Sequence, residues 1–523
     1  MHNKTPTVYV TKVSLIVALG GFLMGFDASV VSGVISFIQP EFQLTSLQVG
    51  WVVACLTLTA TLGMLIAGPL SDRFGRRTLL TAAALVFLIS ALASALAEGY
   101  YSLVIARMIG GFGVGIALLI APMYIGEISP PVLRGRMVSL NQFNIVLGIS
   151  VAFFTNYLIL SLSESTAAWV GILDIDNSQW RWMLGLEALP ALVYLLLLRF
   201  VPESPRWLVL QQREKEARDI FSEFVPAEDV SSAIANVQAD NSAPSASLVH
   251  RLRQLFQWRM RLVLGLGISI AVLQQITGIN AVFFYAPMIF SQMGFTTDAA
   301  FMQAVFVGIV NVIFTLIAIA FIDKLGRKFL LVIGVGGIFV CMSLLSWQFS
   351  QAHYQLDTAD LSSLPPSITA AQRSALVDQR FNTDIAFKQA LQDILGKPVA
   401  TDFETTAVTA AIRLNKTLVL IGVLGFVAFF AMSLGPVMWV LFSEIFGNQV
   451  RGVAISFVGL INSAISFAVQ LIFPWELATF GASFTFAGFA LFALMGWFII
   501  VIWLPETKGK SLESVSTSLI KIK

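Results

Sequence analysis

Thiol and imidazole chemistry is nearly missing from this chain. Of 523 residues only Cys55 and Cys341 are cysteine, and both fall inside apolar runs, so no disulfide framework is implied. The three histidines, His2, His250 and His353, all lie outside those runs. No His/Cys ligand cluster, nucleophile–base arrangement or phosphate-cradling glycine loop is present, so neither an enzyme nor a cofactor or metal is expected. Charge is scarce as well: Asp, Glu, Lys and Arg make up 12% of the chain, about half the share usual in soluble domains. The net charge of +2 points to no nucleic-acid partner. What abounds is hydrocarbon, with 57% of residues hydrophobic.

That hydrocarbon is organised. Twelve apolar runs lie near 13–38, 47–70, 78–97, 101–124, 137–160 and 182–200, then 262–290, 299–322, 329–349, 417–443, 453–473 and 482–504. Each is long enough to cross roughly 30 Å of bilayer as a helix. The first is not expected to be a removable signal peptide, because it is long, contains Asp27 and has no small-residue cleavage site after it. Lys and Arg gather in alternate loops: Arg73, Arg76 and Arg77; Arg134 and Arg136; Arg206 to Arg253; and Lys324, Arg327 and Lys328. By the positive-inside rule both termini are cytoplasmic.

The chain also repeats itself. Asp72-Arg73-Phe74-Gly75-Arg76-Arg77 recurs as Asp323-Lys324-Leu325-Gly326-Arg327-Lys328. Glu127 to Arg134-Gly135 recurs as Glu444 to Arg451-Gly452, and Pro202-Glu203-Ser204 as Pro505-Glu506-Thr507. Three matches in order argue for two parallel six-helix halves. The expected organisation is an all-α membrane protein with an N-terminal bundle over 1–202 and cytoplasmic linker helices over 203–258. A C-terminal bundle over 259–508 and a tail over 509–523 follow. A polar insert, 350–415, interrupts the second half on the outer side. We expect a small helical cap there, with an unstructured loop as the alternative.

These residues resemble the sugar porter family of the major facilitator superfamily. The resemblance rests on Gly25-Phe26-Asp27, Asp72 to Arg77, Arg107 to Gly113, Asn141-Gln142-Phe143 and Pro202-Glu203-Ser204-Pro205-Arg206. It continues through Gln274-Gln275-Ile276-Thr277-Gly278-Ile279-Asn280, Gly435-Pro436-Val437-Met438-Trp439 and Pro505-Glu506-Thr507-Lys508-Gly509. It implies a carrier that works by alternating access, with a monosaccharide and a proton as partners in the lipid bilayer. The expected form is a monomer in a bacterial inner membrane.

Amides inside hydrocarbon need partners, and sugar hydroxyls match groups that both donate and accept. The run Gln274, Gln275, Asn280 and Tyr285 is such a cluster; the blander reading is that the amides only bond helices together. The resemblance implies that these four line the sugar site with Gln142, Asn311, Trp439 and Asn462. Ile149 and Ser463 stand where other members carry Gln and Trp, which leaves the sugar open.

Asp27, Arg107 and Glu187 are the charged groups clearly inside the runs. Intramembrane ionisable groups are costly, so a function is expected of them. Asp27 and Arg107 would load and release a proton by separating and re-pairing, with Glu187 assisting. The alternative for the pair is a static ion pair between helices. The resemblance supports proton coupling because facilitative members lack the carboxylate. A facilitator without proton coupling is the direct alternative, and a non-transporting sugar sensor a remote one. Arg73, Arg77, Glu127, Arg134, Glu203, Arg327, Glu444, Arg451 and Glu506 are expected to form an inner gate of ion pairs, against the plainer reading of solvated loops.

Overall fold

The computed structural model describes residues 6–226, 228–242, 248–356, 369, 372, 375–377, 379–396, 407–447 and 450–508. The first half contains α1 (Pro6–Glu41), α2 (Ser46–Phe74), α3 (Arg76–Ala95), α4 (Tyr100–Ile128) and α5 (Pro131–Ser163). It ends with α6 (Gln179–Gly185) and α7 (Ala188–Leu197). The run 182–200 is therefore broken at Leu186–Glu187. Pro190 lacks the N–H that would bond the Leu186 carbonyl, so the helix must restart there.

Four short helices follow: α8 (Pro205–Leu210), α9 (Glu214–Phe221), α10 (Val230–Ser242) and α11 (Leu248–Leu255). Ser204 caps α8 by accepting from the Trp207 amide at 3.2 Å, and Pro205 opens the helix.

The second half runs through α12 (Arg261–Ile276), α13 (Ile279–Phe284), α14 (Ala286–Gln292), α15 (Thr297–Leu325) and α16 (Arg327–Gln351). After the insert helix α17 (Asp384–Leu395) come α18 (Lys416–Met432), α19 (Leu434–Ile445) and α20 (Arg451–Trp503). Among the described residues, eleven stretches of helix are long and apolar enough to cross a membrane. The last of them, α20, has 53 residues and bends at Gly481, where φ is 78°. The helices expose Leu65, Ile105, Val340, Leu491 and Ile502 on their outer faces, the signature of a surface solvated by lipid rather than water.

The described part of 350–415 is not purely helical. His353–Tyr354 (β1) pairs antiparallel with Ile412–Arg413 (β2), and Tyr354 stacks on Phe387 of α17 with ring centres 5.8 Å apart. Strands of two residues carry no readable alternation, so the sequence offered no sign of them. Pro365-Pro366, Ala243-Pro244-Ser245 and the tail 509–523 lie outside the described residues.

Packing divides the chain into two compact units. One is drawn from Met1–Ser29, Cys55–Ala152 and Arg181–Leu252, the other from Val30–Ala54, Phe153–Trp180 and Arg253–Lys523. In the second unit, the C-terminal part of α1 and the start of α2 pack on second-half helices. Phe37 meets Phe301 of α15 and Trp51 stands edge-on to Phe467 of α20, with ring centres 6.3 and 5.8 Å apart. At Gly50, α2 lies so close to the Leu471 carbonyl that a side chain there would overlap it. Both cysteines are buried, Cys55 in α2 and Cys341 in α16.

Candidate functional site

In the first unit, α4 carries Arg107 against Asp27 of α1. Arg107 Nη1 lies 3.4 Å from Asp27 Oδ1, and both side chains are almost fully buried. Charge-assisted pairs normally close to about 2.7–2.9 Å, so this one is loose. Asp27 Oδ2 has no hydrogen-bond partner among the described residues. Glu187, at the α6–α7 break, is buried within electrostatic reach of both, and its Oε1 has no partner either. Buried carboxylate oxygens left unbonded are expensive, which makes this trio costly to keep.

In the second unit the amides converge. Gly278 separates α12 from α13 with φ of 91°, a left-handed turn that a side chain would strain. The turn lets Gln275 and Asn280 meet across it, with Asn280 Nδ2 donating to Gln275 Oε1 at 2.7 Å. Gln275 Nε2 donates to Asn462 Oδ1 at 3.1 Å and to Gln274 Oε1 at 3.2 Å. Asn462 Nδ2 donates to Gln274 Oε1 at 2.8 Å and to the Ala271 carbonyl at 2.9 Å. Gln274 Nε2 donates to the Leu434 carbonyl at 3.2 Å, just past the break between α18 and α19 at Ser433. This break lies two residues before Gly435-Pro436. Pro436, in the first turn of α19, gives up an N–H that has no helical partner there.

The network reaches further than the sequence reading. Asn280 Nδ2 also donates to Ser466 Oγ at 2.7 Å, Gln470 Nε2 donates to the same oxygen at 2.8 Å, and Tyr285 donates to the Gln470 carbonyl at 2.7 Å. Ser466 and Gln470 were not among the candidates. A signal existed: Asn462, Ser466 and Gln470 recur every four residues on α20, which puts three polar groups on one helix face. Asn311 is buried on α15 with Nδ2 unbonded, and Trp439 on α19 exposes 43% of its surface. Neither joins the amide network, and Gln142 on α5 belongs to the other unit.

The repeated loops fold into the same clamp twice. In the first unit Glu203 accepts from the amides of Arg76, Arg77 and Ser204 at 2.9, 3.1 and 2.8 Å. Arg76 grips Glu127 through two nitrogens at 3.2 Å, and Ser204 Oγ donates to Glu127 at 2.5 Å. In the second unit Glu506 accepts from the amides of Arg327 and Lys328 at 3.0 and 3.1 Å. Arg327 pairs with Glu444 at 2.9 Å, and Thr507 donates to Glu444 at 2.5 Å. Gly75 and Gly326 precede the clamped helices at φ of 94° and 92°, aiming helix-start amides at a carboxylate. Burial works against ionisation of Glu506, but the amides of Lys508, Arg327, Thr507 and Lys328 outweigh it and hold its carboxyl below the usual range.

Comparison with known proteins gives the family. The sugar (and other) transporter family matches residues 13–362 and 399–519. The chain is 33% identical over 513 residues to the arabinose-proton symporter of Bacillus subtilis, covering 98% of this chain and 96% of that one. It is 34% identical over 514 residues to the glucose transport protein of Synechocystis sp., covering 97% of each. The inward open conformation of the xylose transporter XylE from E. coli matches with a TM-score of 0.71 at 28% identity, covering 98% of this chain and 100% of that one. The chain belongs to the sugar transporter family.

As a sugar transporter family member it is a multi-pass membrane carrier with the major facilitator fold, not an enzyme. Within this family member the charged candidates divide. Ion pairing runs through Arg76–Glu127 and Arg327–Glu444, so of the three neighbouring arginines it is Arg76, not Arg73 or Arg77, that pairs with a carboxylate. Arg73 is exposed over the Phe74 ring, and Arg134 is exposed on α5. Arg77 donates to the Leu198 and Arg199 carbonyls, and Arg451 to the Phe446 carbonyl. None of these four makes an ion pair among the described residues.

Proposed function

We propose that the protein imports a monosaccharide together with a proton by alternating access. The buried Asp27–Arg107 pair carries this reading. A carboxylate and a guanidinium this deep in apolar helices are costly to keep unless they change partners during work. Protonation of Asp27 would neutralise the carboxylate, free Arg107 and favour sugar loading from outside. Loss of the proton to the cytoplasm would re-form the pair and favour return. Glu187 assists in this reading as a second buried carboxyl within electrostatic reach of both groups.

Gln274, Gln275, Asn280, Tyr285, Asn311, Trp439, Asn462 and, from the other half, Gln142 are the sugar contacts in this reading. The amides already bond one another, so a sugar hydroxyl exchanges for an existing bond rather than meeting a bare polar group. Relatives named for arabinose, glucose and xylose support a pentose or hexose substrate, and the word proton in the first supports symport.

The halves are residues 1–202 and 259–508, with 203–258 as linker, and both termini lie in the cytoplasm of a bacterial cell. The functional unit is one chain. Reading α20 as two spans meeting at Gly481 gives twelve, because 53 residues would extend about 80 Å as one helix, far beyond the bilayer. In this reading the clamps at Glu203 and Glu506, one within each unit, belong to the inner gate.

Uptake of labelled hexoses and pentoses into proteoliposomes, with and without an inward proton gradient, tests this. Wild type should accumulate one sugar class above equilibrium, and Asp27→Asn should lose accumulation while retaining exchange. Equal downhill uptake in every condition would make the protein a facilitator.

A further inference from the structure

Asp27 offers its two oxygens to different neighbours. Oδ1 faces Arg107, while Oδ2 is buried without a hydrogen bond among the described residues. The space beside Oδ2 exists because position 110 of α4 is glycine. A methyl group there would stand 2.9 Å from Asp27 Oδ2 and 2.5 Å from Ser90 Oγ. The position a Cβ would take is thus already closed in by the free carboxylate oxygen of α1 and a hydroxyl of α3. Ser90 is buried, and its hydroxyl donates to the Ala106 carbonyl at 2.9 Å. A hydroxyl that donates once still has two lone pairs for accepting.

The protonated state needs such an acceptor. A neutral carboxyl carries one O–H, and in a dry interior that hydrogen must be bonded or its burial is costly. The other ionisable groups around Asp27 are Arg107 on α4, Glu187 at the α6–α7 break and Cys55 on α2. Arg107 offers no lone pair. The Cys55 thiol is engaged with the Val104 carbonyl and is a poor acceptor. Glu187 has a free oxygen, but the three atoms nearest the Gly110 position belong to Ser90 and Asp27.

We infer that Ser90 is the hydrogen-bond acceptor for the protonated carboxyl of Asp27, and that Gly110 is a positioning residue which lets the two oxygens meet. The inference rests on the symport reading and deepens it. A proton from water forms the O–H bond at Oδ2 and cancels the carboxylate charge. Oδ2–H then donates to Ser90 Oγ, whose own hydrogen stays on the Ala106 carbonyl. On release the proton leaves Oδ2 for water, and Oδ1 regains Arg107. Ser90 never ionises; it marks the neutral state with a bond that the charged state lacks.

The test compares wild type, Ser90→Ala, Ser90→Thr and Gly110→Ala in proteoliposomes by two readouts. The first is gradient-free sugar counterflow, which reports a folded, sugar-competent carrier. The second is gradient-driven accumulation over a range of external pH. Ser90→Ala should keep counterflow within about two-fold, because removing one hydrogen bond seldom perturbs a fold. Its half-maximal accumulation should move toward acid by about one pH unit, since one bond to the neutral form is lost. Ser90→Thr, which keeps the hydroxyl, should restore the wild-type position, and Gly110→Ala should shift it the same way as Ser90→Ala. A Ser90→Ala profile superimposable on an accumulating wild type overturns the inference and leaves symport standing. A wild type that does not accumulate overturns symport and this inference with it.

Discussion

Gly278 illustrates how a side chain's absence decides the chemistry around it. Its left-handed backbone turns the chain between α12 and α13, and a methyl there would lie 2.6 Å from the Phe489 ring. Gly278→Ala should therefore destabilise the protein by about 2 kcal/mol or more, part from backbone strain and part from ring displacement. A lowered melting temperature in detergent, with sugar affinity reduced alongside, is the expected result. Ser466 permits a finer test, because it holds Asn280 in place from outside the candidate cluster. Ser466→Ala should raise KM about five-fold with kcat nearly unchanged, the loss of one bond's worth of binding. An unchanged KM would remove α20's polar face from the site. Asn280 and Gln275 were legible because amides in an apolar run have few innocent explanations. Ser466 was legible only through its four-residue spacing from Asn462 and Gln470, since a serine in a membrane helix commonly bonds its own backbone and by itself draws no notice.

The helices themselves were the easiest part to read, because crossing hydrocarbon is a matter of apolar length alone. Their interruptions were harder. Gly278 announced itself, but the break at Ser433 carries no distinctive residue at its own position; only Gly435-Pro436 nearby hinted at it. The two-residue ladder at His353–Tyr354 was invisible for want of length. The paired clamps were visible as repeats, yet which arginine reached which carboxylate was not, since Arg73, Arg76 and Arg77 read alike until α3 fixes the direction of each. The clamps make a pH prediction. Glu506 is held below the usual carboxylate range, so its contribution is present above its unfolded value of about 4.3 and is lost as pH falls through the folded one. Wild type should lose stability as pH drops through that window relative to Glu506→Gln, which has no charge there to lose. At neutral pH the variant should be less stable by about 1 kcal/mol, as expected for a charge at a helix start. Parallel denaturation curves for the two proteins across pH would refute the clamp's electrostatic origin.

The unit that joins the C-terminal part of α1 and the start of α2 to the second half ties the transport cycle to a contact between backbones. Since no side chain fits at Gly50 beside the Leu471 carbonyl, Gly50→Leu should hinder that contact. Sugar binding in detergent should persist while net uptake falls about ten-fold or more, and unimpaired uptake would mean the contact is not needed for turnover. The two halves share their clamps but not their interiors: one buries a carboxylate and a guanidinium, the other a network of amides. One further consequence follows from Cys55 and Cys341, both enclosed by packing. The native chain is optically blank to thiol-reactive dyes in water. A pair of cysteines introduced at its surface would carry the only fluorophores, so the opening and closing of each end could be timed molecule by molecule on the unaltered background.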